Sequence, residues 1–257
     1  MRKRLFAHVP YLQMQAHLPF ILERRVNPEI FLSGEALDAL DPAELAATAG
    51  VLRGEGLSCT IHSPFMDLNP GSLERLLRDA TMHRFEQVLD AAEILRPEVM
   101  VFHPGFDRWR YGEATNLWLD LSVVAWRRVL DRVRGSGTVI AVENIFEEEP
   151  STLKALFEAV DDPQFRHCFD VGHWNLFRKV GMEQWFEALG GWIAEVHIHD
   201  NSGTRDDHAP PGEGAIDFEQ FFSLMERHAP DAAYTIEAHS RAHLESSLEV
   251  LKPYLGN

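Results

Sequence analysis

Histidines and carboxylates recur along this chain in positions that suit divalent-metal chemistry. The densest run is Val196–Phe218, VHIHDNSGTRDDHAPPGEGAIDF. Within it His197 and His199 alternate with Val196 and Ile198, the period-two pattern of a buried strand, so the two imidazoles face the same way. Asp206 and His208 follow, two residues apart, as hard and borderline donors of the kind zinc or manganese takes. A polar loop with surface histidines would read the same way, and this stretch alone leaves the two readings level. Five more residues of ligand type each close a short apolar run: His62 in TIHSP, His103 in VFHPG, Glu143 in AVEN, Asp170 in CFDVGH and Glu237 in TIEAH. Taken with His197, these six are 41, 40, 27, 27 and 40 residues apart in chain order, each gap the length of one strand–helix unit. Carboxylates and imidazoles converging in such numbers need a cation to offset their charge and donor repulsion.

Bringing six such groups together is a task for a barrel. Eight apolar runs alternate with helical patterns, the signature of a parallel sheet built from βα units. The expected strands are Leu5–Val9, Glu29–Leu32, Ser58–His62, Val99–His103, Val139–Asn144, His167–Asp170, Ala194–Ile198 and Tyr234–Glu237. Amphipathic segments run over Ser72–Leu95, Asn116–Val133, Ser151–Val160, Met182–Leu189, Phe218–His228 and Arg241–Leu251. In the first, Leu73, Leu76, Leu77, Ala80, Phe85, Val88, Leu89 and Ala92 lie at helical spacing. Asp41-Pro42 and Glu149-Pro150-Ser151 read as helix starts, and Asp217 with Gln220 as a capping box. No linker or composition break divides the chain. The expected fold is therefore α/β, a single-domain (β/α)8 TIM barrel over residues 1–257. An open doubly wound sheet stands second, because no GxGxxG follows the first strand. Parity agrees with the barrel. Thr60 and His62, Val101 and His103, Ala141 and Glu143, Cys168 and Asp170, and Thr235 and Glu237 share one face. Ile61, Phe102, Val142, Phe169 and Ile236 take the other. In such barrels the carboxyl ends of the strands form the rim where chemistry is assembled.

The formal net charge is −16, more than the site carboxylates account for. Proteins that hold nucleic acid by its backbone carry a basic footprint, so this balance argues against a nucleic-acid partner. The start, MRKRLFAHVPYLQ, is basic, but its apolar piece is short and interrupted by His8 and Pro10, which makes it a poor signal peptide and no membrane span. Cys59 and Cys168 lie in no CxxC or CxxH frame and read as buried free thiols of a reducing cytoplasm. An oligomer is compatible with all of this.

From HSPFMDLNP through IEAHS the chain resembles the xylose isomerase-like barrel superfamily, which holds sugar isomerases and epimerases together with the endonuclease IV type of apurinic endonuclease. The endonuclease branch implies a three-zinc cluster with nine ligands, and every one has a match here. His62, His103 and bridging Glu143 would hold the first ion; Glu143, Asp170, His197 and Glu237 the second; His173, Asp206 and His208 the third. Such a cluster would acidify a water and clamp a phosphoryl oxygen. The sugar branch implies one divalent ion on Glu143, Asp170, His197 and Glu237. The two glutamates would then act as base and acid on either face of an enediolate, and His173 would touch substrate.

Because both ligand sets are present, the departures must discriminate. Ile198-His199-Asp200-Asn201-Ser202 stands where the nucleases have an Asn-Asp-Ser/Ala-Lys type stretch. HCFDVGHWN lacks their cysteine-rich signature, and the loop Ser33–Leu40 is short and acidic. DDHAPPGEGAIDF resembles the corresponding loop of the sugar phosphate isomerase/epimerase-like group. The expectation is a divalent-metal-dependent isomerase or epimerase acting on a small sugar, polyol or sugar phosphate. One to three ions of zinc, manganese or magnesium would bind, with Glu143 and Glu237 as catalytic groups. A multinuclear-zinc phosphodiesterase is the alternative, and a non-catalytic binding barrel the third reading.

Substrate-contact candidates are His173, His199, Arg108, Trp109 and Arg205. The loop carrying Arg108, Trp109, Arg110 and Tyr111 either packs over the barrel or stacks on a sugar and pairs with its phosphate. Arg178 and Lys179 read first as a solvated pair. Gly212 and Gly214 precede a helix where barrels bind phosphate, but Glu213 between them opposes an anion. Trp118, Trp126 and Trp185 read as packing residues, and His8 and His17 as structural histidines near the mouth.

Overall fold

The computed structural model describes residues 3–255. Eight strands, β1 (Leu5–Pro10), β2 (Asn27–Phe31), β3 (Thr60–His62), β4 (Val99–Phe102), β5 (Val139–Glu143), β6 (Phe165–Asp170), β7 (Ile193–Ile198) and β8 (Ala233–Ile236), pair in parallel in chain order. β1 closes on β8, with Leu5 beside Tyr234 and Ala7 beside Ile236. The molecule is a single-domain (β/α)8 TIM barrel, as its periodicity predicts. Every expected strand exists, and the bounds move by one or two residues at most ends.

The strands are buried on both faces because both faces are covered. Val99, Val101, Ala141 and Cys168 pack inside the barrel. Ile61, Phe102, Val142, Phe169, Val196 and Ile236 point outward into the main core beneath the helices. That outer layer is strongly aromatic. Trp126 lies 5.5 Å from Phe85, 5.7 Å from Phe102 and 5.4 Å from Phe165, ring centre to ring centre. Trp118, Trp126 and Trp185 are fully buried, as packing residues should be. Both cysteines are buried free thiols, and burial pushes the Cys59 thiol up to about 12.

Helix ends follow the side chains that can satisfy their free N–H groups. Asp41 accepts from Ala43 N at 2.8 Å and starts the helix Pro42–Gly54; Asp217 accepts from Gln220 N at 2.9 Å and starts Phe218–His228. Two local readings change. The long helix spans Arg75–Leu95 and is capped by Glu74, later than the apolar pattern suggested. Leu73, Leu76 and Leu77 are accordingly 49, 65 and 52% exposed, so the buried stripe begins only at Thr81 and Met82. The stretch Ser33–Leu40 is not all loop. Ser33 caps a short helix, Gly34–Asp38, by accepting from Ala36 N. The helix Met14–Arg24 is masked in the sequence by its internal Pro19. No helix of the described residues is long and apolar enough to cross a membrane.

Candidate metal centre

Strand parity brings the ligand-type side chains together at the carboxyl-terminal rim. Glu143, at the end of β5, is the hub and is 1% exposed. Its Oε2 lies 3.0 Å from His103 Nε2, 3.2 Å from His62 Nε2 and 3.5 Å from His197 Nδ1, while its Oε1 lies 3.1 Å from His173 Nδ1. His197 Nδ1 also faces Glu237 Oε1 at 3.2 Å and Asp170 Oδ2 at 3.8 Å. Asp206 lies 3.1 Å from His208 Nε2 and 3.5 Å from His173 Nε2. Each of the nine residues matched to ligand positions thus faces at least one other.

The backs of the rings are fixed by acceptors. His62 Nδ1–H donates to the carbonyl of Ser63 at 2.8 Å and His173 Nδ1–H to that of Asn144 at 3.1 Å. Behind His197 lies Glu29 of β2, fully buried. Its Oε2 accepts from His197 Nε2–H at 3.1 Å, and its Oε1 lies 3.1 Å from His8 Nδ1. A carboxylate behind an imidazole fixes the tautomer and turns the other nitrogen forward. That forward atom, His197 Nδ1, is buried, makes no hydrogen bond and is ringed by three carboxylates; His199 Nδ1 is also buried without a hydrogen bond, 3.6 Å from Asp206 Oδ1. Orphaned ring nitrogens among carboxylates are what a divalent cation would satisfy, so the donor set fits such an ion. Two compact groups, His62–Glu143–His197 and Asp170–His173–His199, have ligand atoms close enough to share one.

The electrostatics agree. Burial opposes ionisation of Glu143, Asp170 and Glu29, but the facing imidazoles outweigh it and hold all three carboxyls low. Burial likewise opposes a charged His62, yet Glu143 and Glu29 raise it to about 9; at His103, beside it, burial prevails and the pKa falls.

The long loop after β7 is built around Asp200. This buried carboxylate accepts from the backbone N–H groups of Asn201 (2.8 Å), Gly212 (2.9 Å), Gly214 (2.9 Å) and Ile216 (3.2 Å). A Cβ on Gly214 would lie 2.2 Å from its Oδ1. The glycine amides considered for phosphate therefore already serve an internal anion. His208, whose φ of 47° is unusual for a non-glycine residue, is held out toward Asp206 by this loop.

Other candidates sort differently. His199 is buried, with Nε2 3.2 and 3.1 Å from the two oxygens of Asp170. Arg108 pairs with Glu148 and lies 4.6 Å over the ring of Trp109, which is 82% exposed. Among the described residues Arg205 reaches only Asp207, at 3.4 Å. His17 is joined to Gln13 at 3.3 Å, whereas His8 reaches both Glu29 and Glu237. Sequence reasoning missed Glu29, Asp200 and Glu147. Glu29 shares the inward parity of β2, and that was its only signal. Glu147 is buried beside the site and raised to about 7, chiefly by desolvation. A cavity of about 500 Å3, lined by Arg4, Val99, Arg166 and Ile193 among others, lies at the opposite, amino-terminal ends of the strands.

Comparison with known proteins agrees with this architecture. An uncharacterized protein of Methanocaldococcus jannaschii is 28% identical over 202 residues, covering 76% of this chain and 69% of that protein. A solved D-tagatose 3-epimerase-like protein superimposes with a TM-score of 0.83 at 25% identity, covering 100% of this chain and 97% of its own. A D-psicose 3-epimerase solved in the presence of D-fructose has the same fold, with a TM-score of 0.79, 13% identity and full coverage of both chains. The profile of the xylose isomerase-like TIM barrel family matches residues 28–254, and the chain belongs to that family.

Proposed function

We propose that the protein is a divalent-metal-dependent isomerase or epimerase of a small sugar, polyol or sugar phosphate. The observation that carries this reading is the position of His197 Nδ1, which points between Glu237 Oε1 at 3.2 Å, Glu143 Oε2 at 3.5 Å and Asp170 Oδ2 at 3.8 Å. A divalent ion held by these four residues would polarise substrate oxygens and acidify the adjacent carbon-bound proton. The rest falls to the chain. Glu143 and Glu237 reach the site from separate strands, so one carboxylate takes the proton from one face of the substrate carbon and the other returns it to the opposite face. Glu29 keeps His197 in the tautomer that leaves Nδ1 free. His173 would touch the substrate from the same rim, as the resemblance to the sugar enzymes implies. The likeness to sugar epimerases supports the same class.

The convergence of Asp206, His173 and His208 favours a second reading, a multinuclear-zinc phosphodiesterase. Incubating the metal-loaded protein with ketoses and their phosphates in D2O tests the two. Epimer formation with deuterium incorporation, reduced roughly 10²–10⁴-fold in Glu143→Gln and in Glu237→Gln, is the expected result. Zinc-dependent cleavage of a phosphodiester or abasic-site duplex, without epimer formation, would replace this reading by the second.

A further inference from the structure

We infer that His8 is a substrate-binding residue, whose Nε2 holds a hydroxyl group of the sugar beside Glu237. In the sequence His8 reads as a structural histidine near the mouth. The sheet places it more tightly than that. Ala7 of β1 pairs with Ile236 of β8, so His8 is the rim neighbour of Glu237, and on its other side it pairs with Glu29.

The ring closes a circuit of two imidazoles and two carboxylates. His8 Nδ1 lies 3.1 Å from Glu29 Oε1 and 3.6 Å from Glu237 Oε1. Glu29 Oε2 accepts from His197 Nε2–H at 3.1 Å, and His197 Nδ1 returns to Glu237 Oε1 at 3.2 Å. As a carboxylate Glu29 only accepts, so the hydrogen of His8 sits on Nδ1. His8, Glu29 and Glu237 are close enough to share an ion, but an Nδ1 that carries a hydrogen has no lone pair for one. The same tautomer leaves a lone pair on Nε2 of the neutral ring. That atom makes no hydrogen bond among the described residues, and it differs from the orphaned nitrogens of His197 and His199 in not being buried: the His8 side chain is 23% exposed, whereas theirs are sealed. An open nitrogen is served by solvent, which a substrate O–H can replace. Phe31 and His62 flank the ring, 5.4 and 5.8 Å away centre to centre, so the direction of Nε2 is set before a substrate arrives.

The chemistry of the ligand follows from that atom. A lone pair backed by two carboxylates takes the hydrogen of a hydroxyl and opposes the oxygens of a phosphate. His8 therefore favours an uncharged substrate that carries a hydroxyl next to the carbon served by Glu237. The inference rests on the sugar-binding part of the proposed function.

The test compares the metal-loaded full chain with His8→Asn, using D-fructose, D-psicose, D-tagatose and their phosphates as probes. An asparagine N–H can stand where Nδ1–H does, so the variant keeps a donor for Glu29 and has no atom at the Nε2 position. We expect its metal affinity, by calorimetry, to stay within about twofold of wild type. Its affinity for the bound ketohexose, or kcat/KM where the sugar turns over, should fall roughly 3–10-fold, as the loss of one net hydrogen bond implies. Unchanged sugar affinity, a loss of metal affinity in step with it, or binding of the phosphates alone would overturn the inference and leave the proposed function standing. Sugar binding weakened in the variant, without epimer formation by wild type, would keep the inference and overturn the epimerase reading. No binding of either form would overturn both. If His8→Asn does not fold, a crystal of metal-loaded wild type with the bound ketohexose decides. A hydroxyl oxygen about 2.6–3.2 Å from His8 Nε2 is expected there; its absence, or an ion on His8, would refute the role.

Discussion

Replacing Gly172 by alanine separates two physical effects of opposite sign. Gly172 lies in the helix Val171–Phe177, and helix propensity alone predicts a gain of up to about 1 kcal/mol. The new methyl would stand 2.0 Å from His199 Cε1 and 2.5 Å from its Nδ1, where carbon contacts need about 3.5–4 Å. His199 cannot step aside freely, because Asp170 holds its Nε2 and His208 stacks on its face. Overpacking a filled interior costs about 1–3 kcal/mol, and weakening a hydrogen bond to a charged group about 1.5–3 more. After the helical gain, a net loss of about 2–4 kcal/mol remains, or a fall in Tm of roughly 4–8 °C for a chain of this length. Thermal unfolding of Gly172→Ala beside Gly50→Ala measures it. Gly50 is an exposed helical glycine with nothing within 4 Å of its would-be Cβ, so its variant should hold or gain stability. A Gly172→Ala Tm equal to or above wild type would refute the packing account of His199.

Three further outcomes are expected. Glu29→Gln should weaken divalent-metal binding roughly 10–100-fold in calorimetric titration by freeing the His197 tautomer, and an unchanged affinity would remove Glu29 from the site. Asp200→Asn should destabilise by about 2–4 kcal/mol in urea unfolding and expose residues 201–216 to limited proteolysis, since four amides lose a charged acceptor; equal proteolysis of both proteins would count against that role. His167 donates from Nδ1 to the Val142 carbonyl and accepts from Trp185 at Nε2, and burial depresses its pKa from 6.5 to about 4. Below pH 6.5 the unfolded chain therefore takes up a proton that the fold refuses. Stability should fall by about 3 kcal/mol between pH 6.5 and 4, a component that His167→Gln lacks; parallel pH profiles for the two proteins would refute this.

The barrel and the convergence at its rim were legible because both depend on periodicity. Alternation along eight runs sends His62, Glu143 and Asp170 inward, and closure in chain order makes residues 81 apart, such as His62 and Glu143, into neighbours. Glu29 was not legible, because a lone carboxylate in NPEIF acquires its role only when β2 brings it behind His197, 168 positions away in the chain. Asp200 was hidden for a similar reason: its partners are backbone amides, which leave no trace in side-chain pattern. The exposed Leu73, Leu76 and Leu77 mark the opposite failure. Helical spacing identifies the stripe but says nothing of how far the helix extends past the layer it packs on.

The mouth of the barrel bears on the charge of the substrate. The cations that could receive a phosphate are largely committed: Arg108 and Lys179 both pair with Glu148, and Arg205 faces Asp207. Burial is slight at these groups, so each pair contributes little to stability. Their effect on an incoming anion is larger, since each leaves a carboxylate beside the cation that an anion would have to displace. The loop amides at Gly212 and Gly214 are closed by Asp200. Arg110 and Arg178 pair with no carboxylate among the described residues, and Arg178 lies 4.3 Å over the ring of Trp174. The chain as a whole carries a net charge of −16, and together with these pairings it favours a neutral polyhydroxylated substrate for the proposed isomerase or epimerase over its phosphate.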